Sequence, residues 1–330
     1  MRIDLAEVQP VDGDIGLLLQ GNGRRLADLA TAEVAALFER HGVLLLRGFT
    51  SQGREESKQD FVSFSDRLTA EFSNYRGGGL RFAALDRQSV DGMPTLMTTT
   101  GHTQKFGIPL HGEMYYLRQP PGLIWFYADL PPARDGETTL ADGAEVFAQL
   151  KPASQDFFRH NRIKYVRALV DGDWQATFMT DDLAEAERFC AEADLVMRFD
   201  AEAKVLRTEF TCSALREVGG RTVFINNLLF IHIAELVFKN GWAKQNLPGL
   251  RSPDCPIVVR AEDGSPLPPD VLADVQAVSE RLTRRIAWQQ GDIAMIDNRR
   301  ILHGRRDTDG GPRSILVRIG EPSFALKEAA

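Results

Sequence analysis

A chain of 330 residues, 43% hydrophobic and 26% charged, lies outside the range of disordered chains and is long enough to bury a core without staples. Its net charge of −7, with no long basic run, excludes a dominant nucleic-acid surface, which needs a concentrated cationic face. Cys190, Cys212 and Cys255 are odd in number, widely spaced and without a CxxC, so they point to neither a disulfide framework nor a thiolate zinc site, and to a reducing, cytoplasmic setting.

The opening segment through Gly16 lacks an apolar core flanked by basic residues, so no signal peptide is expected. No apolar run approaches the roughly 20 residues that span a bilayer, and no membrane partner is expected. Thr31 is placed to cap a helix with Val34, Leu37 and Phe38 on one face; Gly42 ends it, and Val43–Leu46 follows as a buried strand. Phe61, Phe64, Leu68 and Phe72 fall on a second helical stripe, read as core packing. Gly77-Gly78-Gly79 lacks the spacing of a dinucleotide loop. The unbroken apolar run Leu123–Tyr127 predicts a strand covered on both faces. Pro131-Pro132 breaks the chain, and Asp142 with Glu145 reads as a capping box opening a helix through Val146, Phe147 and Leu150. Thr222–Ile225, Ile293–Ile296 and Ile315–Ile319 are further strands, with a helix over Leu272–Arg285. Strands flank the polar segments without regular strand–helix alternation, which predicts a mixed α+β chain with a β-rich core and helical buttresses. Nothing reads as a linker, so a single domain over 1–330 is expected.

Of six histidines, His111 stands out. Pro109-Leu110-His111-Gly112-Glu113-Met114 places an imidazole and a carboxylate two residues apart, which on a strand puts both on one side. With one remote histidine, such a pair makes the facial triad of non-haem iron(II). A histidine, His303, stands at the end of the segment Gly291-Asp292…Asp297-Asn298-Arg299-Arg300-Ile301-Leu302-His303; Arg313 and Arg318 follow. Asp292 and Asp297 read as turn and strand-end residues, and Asn298-Arg299 as loop-shaping. His41 reads as a helix C-terminal dipole contact, His160 and His232 as structural, and His102 as either pocket-lining or exposed.

The ordered set of HxE, Asp135-Gly136-Glu137-Thr138 as a GGxT-like turn, GDxxxxDNRxxxH and a distal arginine resembles the TauD/TfdA and clavaminate-synthase-like family of Fe(II)/2-oxoglutarate-dependent oxygenases. The resemblance implies a double-stranded β-helix (jelly-roll) core with helices packed on one side. It implies Fe(II) held by His111, Glu113 and His303, and 2-oxoglutarate and O2 as co-substrates. Arg313, beside a hydroxyl from Thr138, would take the far carboxylate of 2-oxoglutarate, a site that suits a forked guanidinium. Arg318 is the second candidate for that role, or a substrate contact; Gln104, Met114 and Tyr116 are further candidates for the substrate pocket. Halogenases of the wider superfamily replace the metal carboxylate with a small residue, so Glu113 points to hydroxylation, desaturation or a related oxidation. The motif around His111 resembles the amino-acid-oxidising branch, implying an amino acid or amino-acid-derived small molecule in secondary metabolism, free or on a peptidyl carrier protein. Two other readings remain open from sequence: a zinc-dependent hydrolase using the same three ligands, and a non-catalytic metabolite-binding relative with a vestigial metal site.

Overall fold

The computed structural model describes residues 8–78, 85–247, 249–309 and 311–325, so Gly79 of the glycine triplet lies outside the described residues. The largest sheet has nine strands. Its centre runs Val43–Arg47, Ile293–Asp297, Leu123–Leu130, Ser314–Pro322 and Met93–Thr98, all antiparallel neighbours. Among the described residues, the one parallel pair in this sheet joins Leu17–Gln20 to Val43–Arg47.

These central strands alternate strictly between two cores. Val43, Leu45, Ile124, Phe126, Ala294, Ile296 and Val317 point inward to the larger apolar cluster. Leu44, Leu46, Leu123, Trp125, Tyr127, Met295 and Leu316 point to a second cluster under the helices Thr31–His41 and Arg54–Asp66. Both faces are therefore dry, which is why Leu123–Tyr127 reads as an unbroken apolar run. A four-stranded antiparallel sheet, ordered Arg284–Ile286, Thr138–Asp142, Ile301–Arg305 and Ile108–His111, contributes Leu110, Leu140, Ile286 and Ile301 to the inner cluster. The helices Gly143–Gln149, Leu228–Lys239 and Pro269–Leu282 lie against this smaller sheet. Helices thus cover both outer faces, not one. Between Thr138–Asp142 and Arg284–Ile286 the chain inserts a second four-stranded antiparallel sheet, which shares the inner cluster through Ile163, Tyr165, Leu206 and Val259.

Several local expectations need correction. Thr31 is the first helical residue, Ala30 holds the cap position, and no side chain caps this end. The second helix stops at Asp66, so Leu68 precedes and Phe72 belongs to the strand Thr69–Phe72, paired with Ser314–Pro322. The last long helix ends at Leu282, and Arg284–Ile286 turns to pair with Thr138–Leu140. Asp142 caps its helix through Ala144 and Glu145 amides, while the Glu145 carboxylate pairs with Arg221. His41 does sit in a helix's last turn, but burial and the charges of Arg40 and Arg300 lower its pKa; Arg300 serves that end instead, donating to the Glu39 carbonyl at 2.8 Å.

The turn at Gly291-Asp292 anchors the strand that leads to the polar segment. Asp292 is fully buried and accepts from Arg47 Nη2 at 2.6 Å and the Gln289 amide at 2.8 Å. Removing one partner of such a buried pair strands the other's charge. Arg47→Ala is expected to lower stability by about 3 kcal/mol, read from the midpoint of a urea unfolding curve.

Candidate active site

His111 closes the strand Ile108–His111, and His303 sits directly opposite it on Ile301–Arg305, with ring centroids 4.4 Å apart. Gly304 permits this approach: a Cβ there would stand 2.4 Å from the Ile108 carbonyl oxygen and 2.8 Å from Thr139 Oγ1. Glu113 is not on the strand, which ends at His111; it reaches the same side through a turn in which Met114 has φ of 60°. That turn is fixed from afar. Asn298, fully buried, accepts from the Glu113 amide at 2.7 Å and donates to the Glu113 carbonyl at 3.0 Å and to the Pro121 carbonyl at 2.6 Å. Asp297 in turn holds Arg299 and Arg300, which shapes the segment entering the His303 strand.

The donor atoms of His111, Glu113 and His303 all lie within 4.8 Å of one another, and all three residues are buried. His111 Nδ1 is 2.8 Å from the Pro109 carbonyl, so Nδ1 carries the hydrogen and the Nε2 lone pair is free. Burial, reinforced by neighbouring His303, pulls His111 down to about 3 and keeps it neutral. Burial alone would raise the Glu113 carboxyl, but Arg87 and then His303 hold it well below the usual carboxylate range. His303 Nε2 lies 3.6 Å from Glu113 Oε2, and its Nδ1 is buried without a hydrogen-bond partner. Two imidazoles and a carboxylate converging in this way are a donor set for a divalent metal with positions left open.

Next to the cluster is a cavity whose wall includes Phe126, Thr138, Arg305 and Arg313. Thr138 is buried and accepts from Trp288 Nε1 at 3.1 Å, leaving its own hydroxyl hydrogen to point elsewhere. Burial, together with the Arg305 charge beside it, brings Arg313 down to about 9; burial brings Arg305 to about 10. Among the described residues neither guanidinium makes an ion pair, and Nε of each is buried without a partner. Arg305 gives its terminal nitrogens to the carbonyls of Thr100, Gly101, Gln104 and Phe106. Two cations without an ion-pair partner thus stand in one cavity wall, Arg313 as the freer donor for an anion.

The structure thus brings His111, Glu113, His303, Thr138 and Arg313 together, with Tyr116 in an adjoining cavity next to Glu113. It separates three other sequence candidates from them. Arg318 alternates with Val317 and so points to the helix side, where it stacks on Phe72 at 3.6 Å and pairs with Asp66 and Ser65. Met114 is carried by its turn to a different groove, against Phe72, Leu117 and Phe189. Gln104 gives its amide to Thr103 and its carbonyl to Arg305, and lines neither cavity. His102 is half-buried near Arg305 and Arg313, its pKa lowered by burial and then by those two charges, but it lines neither cavity. Sequence reasoning missed Arg305, although residue i+2 from His303 on a strand was a readable signal. It also missed Arg87, whose loop has no periodicity to read; Arg87 Nη2 donates to Glu113 Oε2 at 2.7 Å. Burial raises the thiols of Cys190 to about 11 and of Cys212 and Cys255 to about 12, and none joins the cluster.

Because Asn298 fixes the backbone of Glu113 and leaves its carboxylate untouched, Asn298→Ala should weaken Mn(II) binding by about 10–100-fold in equilibrium dialysis, whereas His111→Ala should abolish it.

The comparisons with known proteins agree with this geometry. A family model described as taurine catabolism dioxygenase TauD, TfdA family matches residues 7–319. A clavaminate synthase-like protein of Arabidopsis thaliana is 28% identical over 299 residues, covering 86% of this chain and 83% of its own. The dapdiamide synthesis protein DdaC of Enterobacter agglomerans is 26% identical over 292 residues, covering 87% and 84%. Among solved structures, PvcB of Pseudomonas aeruginosa superposes with a TM-score of 0.52 at 16% identity, over 97% of this chain and 89% of that one. Another structure of PvcB describes it as an Fe, alpha-ketoglutarate dependent oxygenase from an isonitrile synthetic pathway. A taurine dioxygenase from Burkholderia xenovorans gives the same score at 16% identity, over 96% and 89%. No helix among the described residues is long and apolar enough to cross a membrane. With a match spanning nearly all of its length, the chain belongs to the TauD/TfdA family of dioxygenases.

Proposed function

We propose that this chain is an Fe(II)/2-oxoglutarate-dependent oxygenase that hydroxylates, desaturates or otherwise oxidises an amino acid or amino-acid-derived small molecule in secondary metabolism. The two facing sheets are read as the halves of a jelly roll, and residues 1–330 as one domain. The observation that carries the proposal is the convergence of His111, Glu113 and His303, beside a cavity lined by Arg313 and Arg305, neither of which makes an ion pair among the described residues.

His111 Nε2, His303 Nε2 and a Glu113 oxygen would hold the iron, and Arg87 keeps the Glu113 carboxylate charged. Iron(II) with 2-oxoglutarate and O2 supplies an oxidant for an unactivated C–H bond, with succinate and CO2 as co-products. The rest of the work belongs to the protein. Arg313 meets the far carboxylate of the keto-diacid with a forked pair of donors, Arg305 adds positive charge, and Thr138 offers a hydroxyl. Phe126 and Phe230 wall the two imidazoles from water. Glu113 fills the position a halide would need, which favours oxygen insertion or hydrogen removal over halogenation. The substrate class takes its support from the similarity to DdaC and PvcB, both named for synthetic pathways, and a substrate presented on a peptidyl carrier protein falls within it. A zinc hydrolase would use the same three ligands but gives Arg305 and Arg313 nothing to bind.

The test is anaerobic addition of iron(II) and 2-oxoglutarate. A weak visible charge-transfer band should appear, followed in O2 by succinate; His111→Ala and Glu113→Ala should lose both. No band and no succinate from folded protein would overturn the proposal. In the same assay Arg313→Met should weaken 2-oxoglutarate binding at least about tenfold, because a charge-assisted pair is lost. Arg318→Met should leave that binding within about twofold while lowering stability by about 1–3 kcal/mol, since its partners lie on the helix side.

A further inference from the structure

A second cavity adjoins the metal ligands and shares Arg87, Thr100, Ile108 and His111 with the one that holds Arg305 and Arg313. Its lining includes Tyr75, Arg87, Glu113, Tyr116, Asn227 and Phe230. Two of its side chains hold polar atoms with no partner. Arg87 gives Nη2 to Glu113 and Nε to Thr100, at 2.7 and 3.1 Å, but Nη1 is buried and unbonded. Asn227 is 2% exposed, and its Oδ1 is likewise buried and unbonded. Buried polar groups in folded proteins are rarely left unmatched, and those that are mark a missing ligand or solvent. One cation donor and one neutral acceptor in the same small space match the two ends of an α-amino acid head group: carboxylate to Arg87, ammonium to Asn227.

Space for the body of the ligand lies next door. Thr100, Ile108 and Phe230 also line a larger cavity of about 370 Å3, within the usual size range of small-molecule sites. Beyond those shared residues its wall is mainly apolar, with Phe106, Ile233, Val237, Phe238, Trp242 and Leu247. No acidic or basic group other than Asp307 appears in its described lining, so a charged or strongly polar side chain would lose its hydration there without compensation.

Building on the oxygenase reading, we infer that the substrate is a free α-amino acid with a large apolar side chain. Arg87 and Asn227 fix its head group beside the metal ligands, and the pocket under the helix Leu228–Lys239 receives its side chain. A carrier-bound aminoacyl group has its carboxyl tied up as a thioester and offers Arg87 no anion. The inference therefore selects the free acid. Arg87 would bridge, keeping Nη2 on Glu113 while Nη1 takes the substrate, so that the carboxylate that holds the metal and the one that identifies the substrate share one guanidinium.

The experiment is calorimetric titration of the anaerobic protein loaded with iron(II) and 2-oxoglutarate, using L-phenylalanine as the probe. Saturable binding is expected, at least about tenfold tighter than L-phenylalaninamide, 3-phenylpropionate or L-alanine, which lack the carboxylate, the ammonium and the apolar body in turn. Arg87→Gln should weaken L-phenylalanine at least about tenfold while leaving the amide unchanged. Ala234→Phe, which fills the apolar pocket, should weaken L-phenylalanine but not L-alanine. The ligand series on the unaltered protein decides the matter even if Arg87→Gln does not fold. No binding of L-phenylalanine, equal binding of the amide or of L-alanine, or tighter binding of a phenylalanyl phosphopantetheine thioester would each overturn the inference with the charge-transfer band still present. Absence of that band would overturn the oxygenase reading, and this inference with it.

Discussion

Everything functional in this molecule hangs on one cross-strand contact, the antiparallel pairing that sets His303 opposite His111. The side-chain period of a strand is two, so a slip of one residue in either partner would turn an imidazole out of the cavity. The contact is secured by features that do no chemistry. Gly304 lets the backbones close, Asp297 shapes the entry to the His303 strand, and Asn298 ties the Glu113 turn to the same segment. The run from Asp297 to His303 is therefore a single mechanical part, carrying a ligand at one end and a clamp for another ligand near its start.

Charge is distributed along the cavities with similar economy. The His111 imidazole, kept neutral by burial, His303 beside it, and a carboxyl held well below its usual range define the centre. Arg313 and Arg305 supply positive charge to the cavity beside His111 and His303, and Arg87, which lines it too, has its charge matched by Glu113. Burial in a low-dielectric interior makes each of these charges costly unless an anion arrives. A site built this way gains more from binding acidic small molecules than an open, hydrated one would.

Much of this was legible in the sequence, and the failures follow a pattern. That His111, Glu113, His303, Thr138 and Arg313 come together was readable because ordered motifs carry them and strand spacing constrains them. The buried strands were readable from unbroken apolar runs, because both faces of the large sheet are covered. Arg318 misled because a one-dimensional reading puts it close to Arg313, whereas strand alternation sends it to the opposite face. Met114 misled because a left-handed turn, invisible in the residue pattern, swings it away from its neighbour Glu113. Arg87 and Asn227 come from irregular backbone, where no period announces which way a side chain faces. The two helix overruns at Leu68–Phe72 and Arg284–Ile286 are places where the pairing of an edge strand overrides local helical spacing.

The separation along the chain between Asn298 and Glu113 is 185 positions, and the whole inserted sheet must fit between the strands that flank it. Bringing such distant segments together costs loop-closure entropy before any contact rewards it, and chains dominated by remote pairings fold slowly. The three donors of His111, Glu113 and His303 are accordingly supplied by segments that face one another only once these remote pairings have closed.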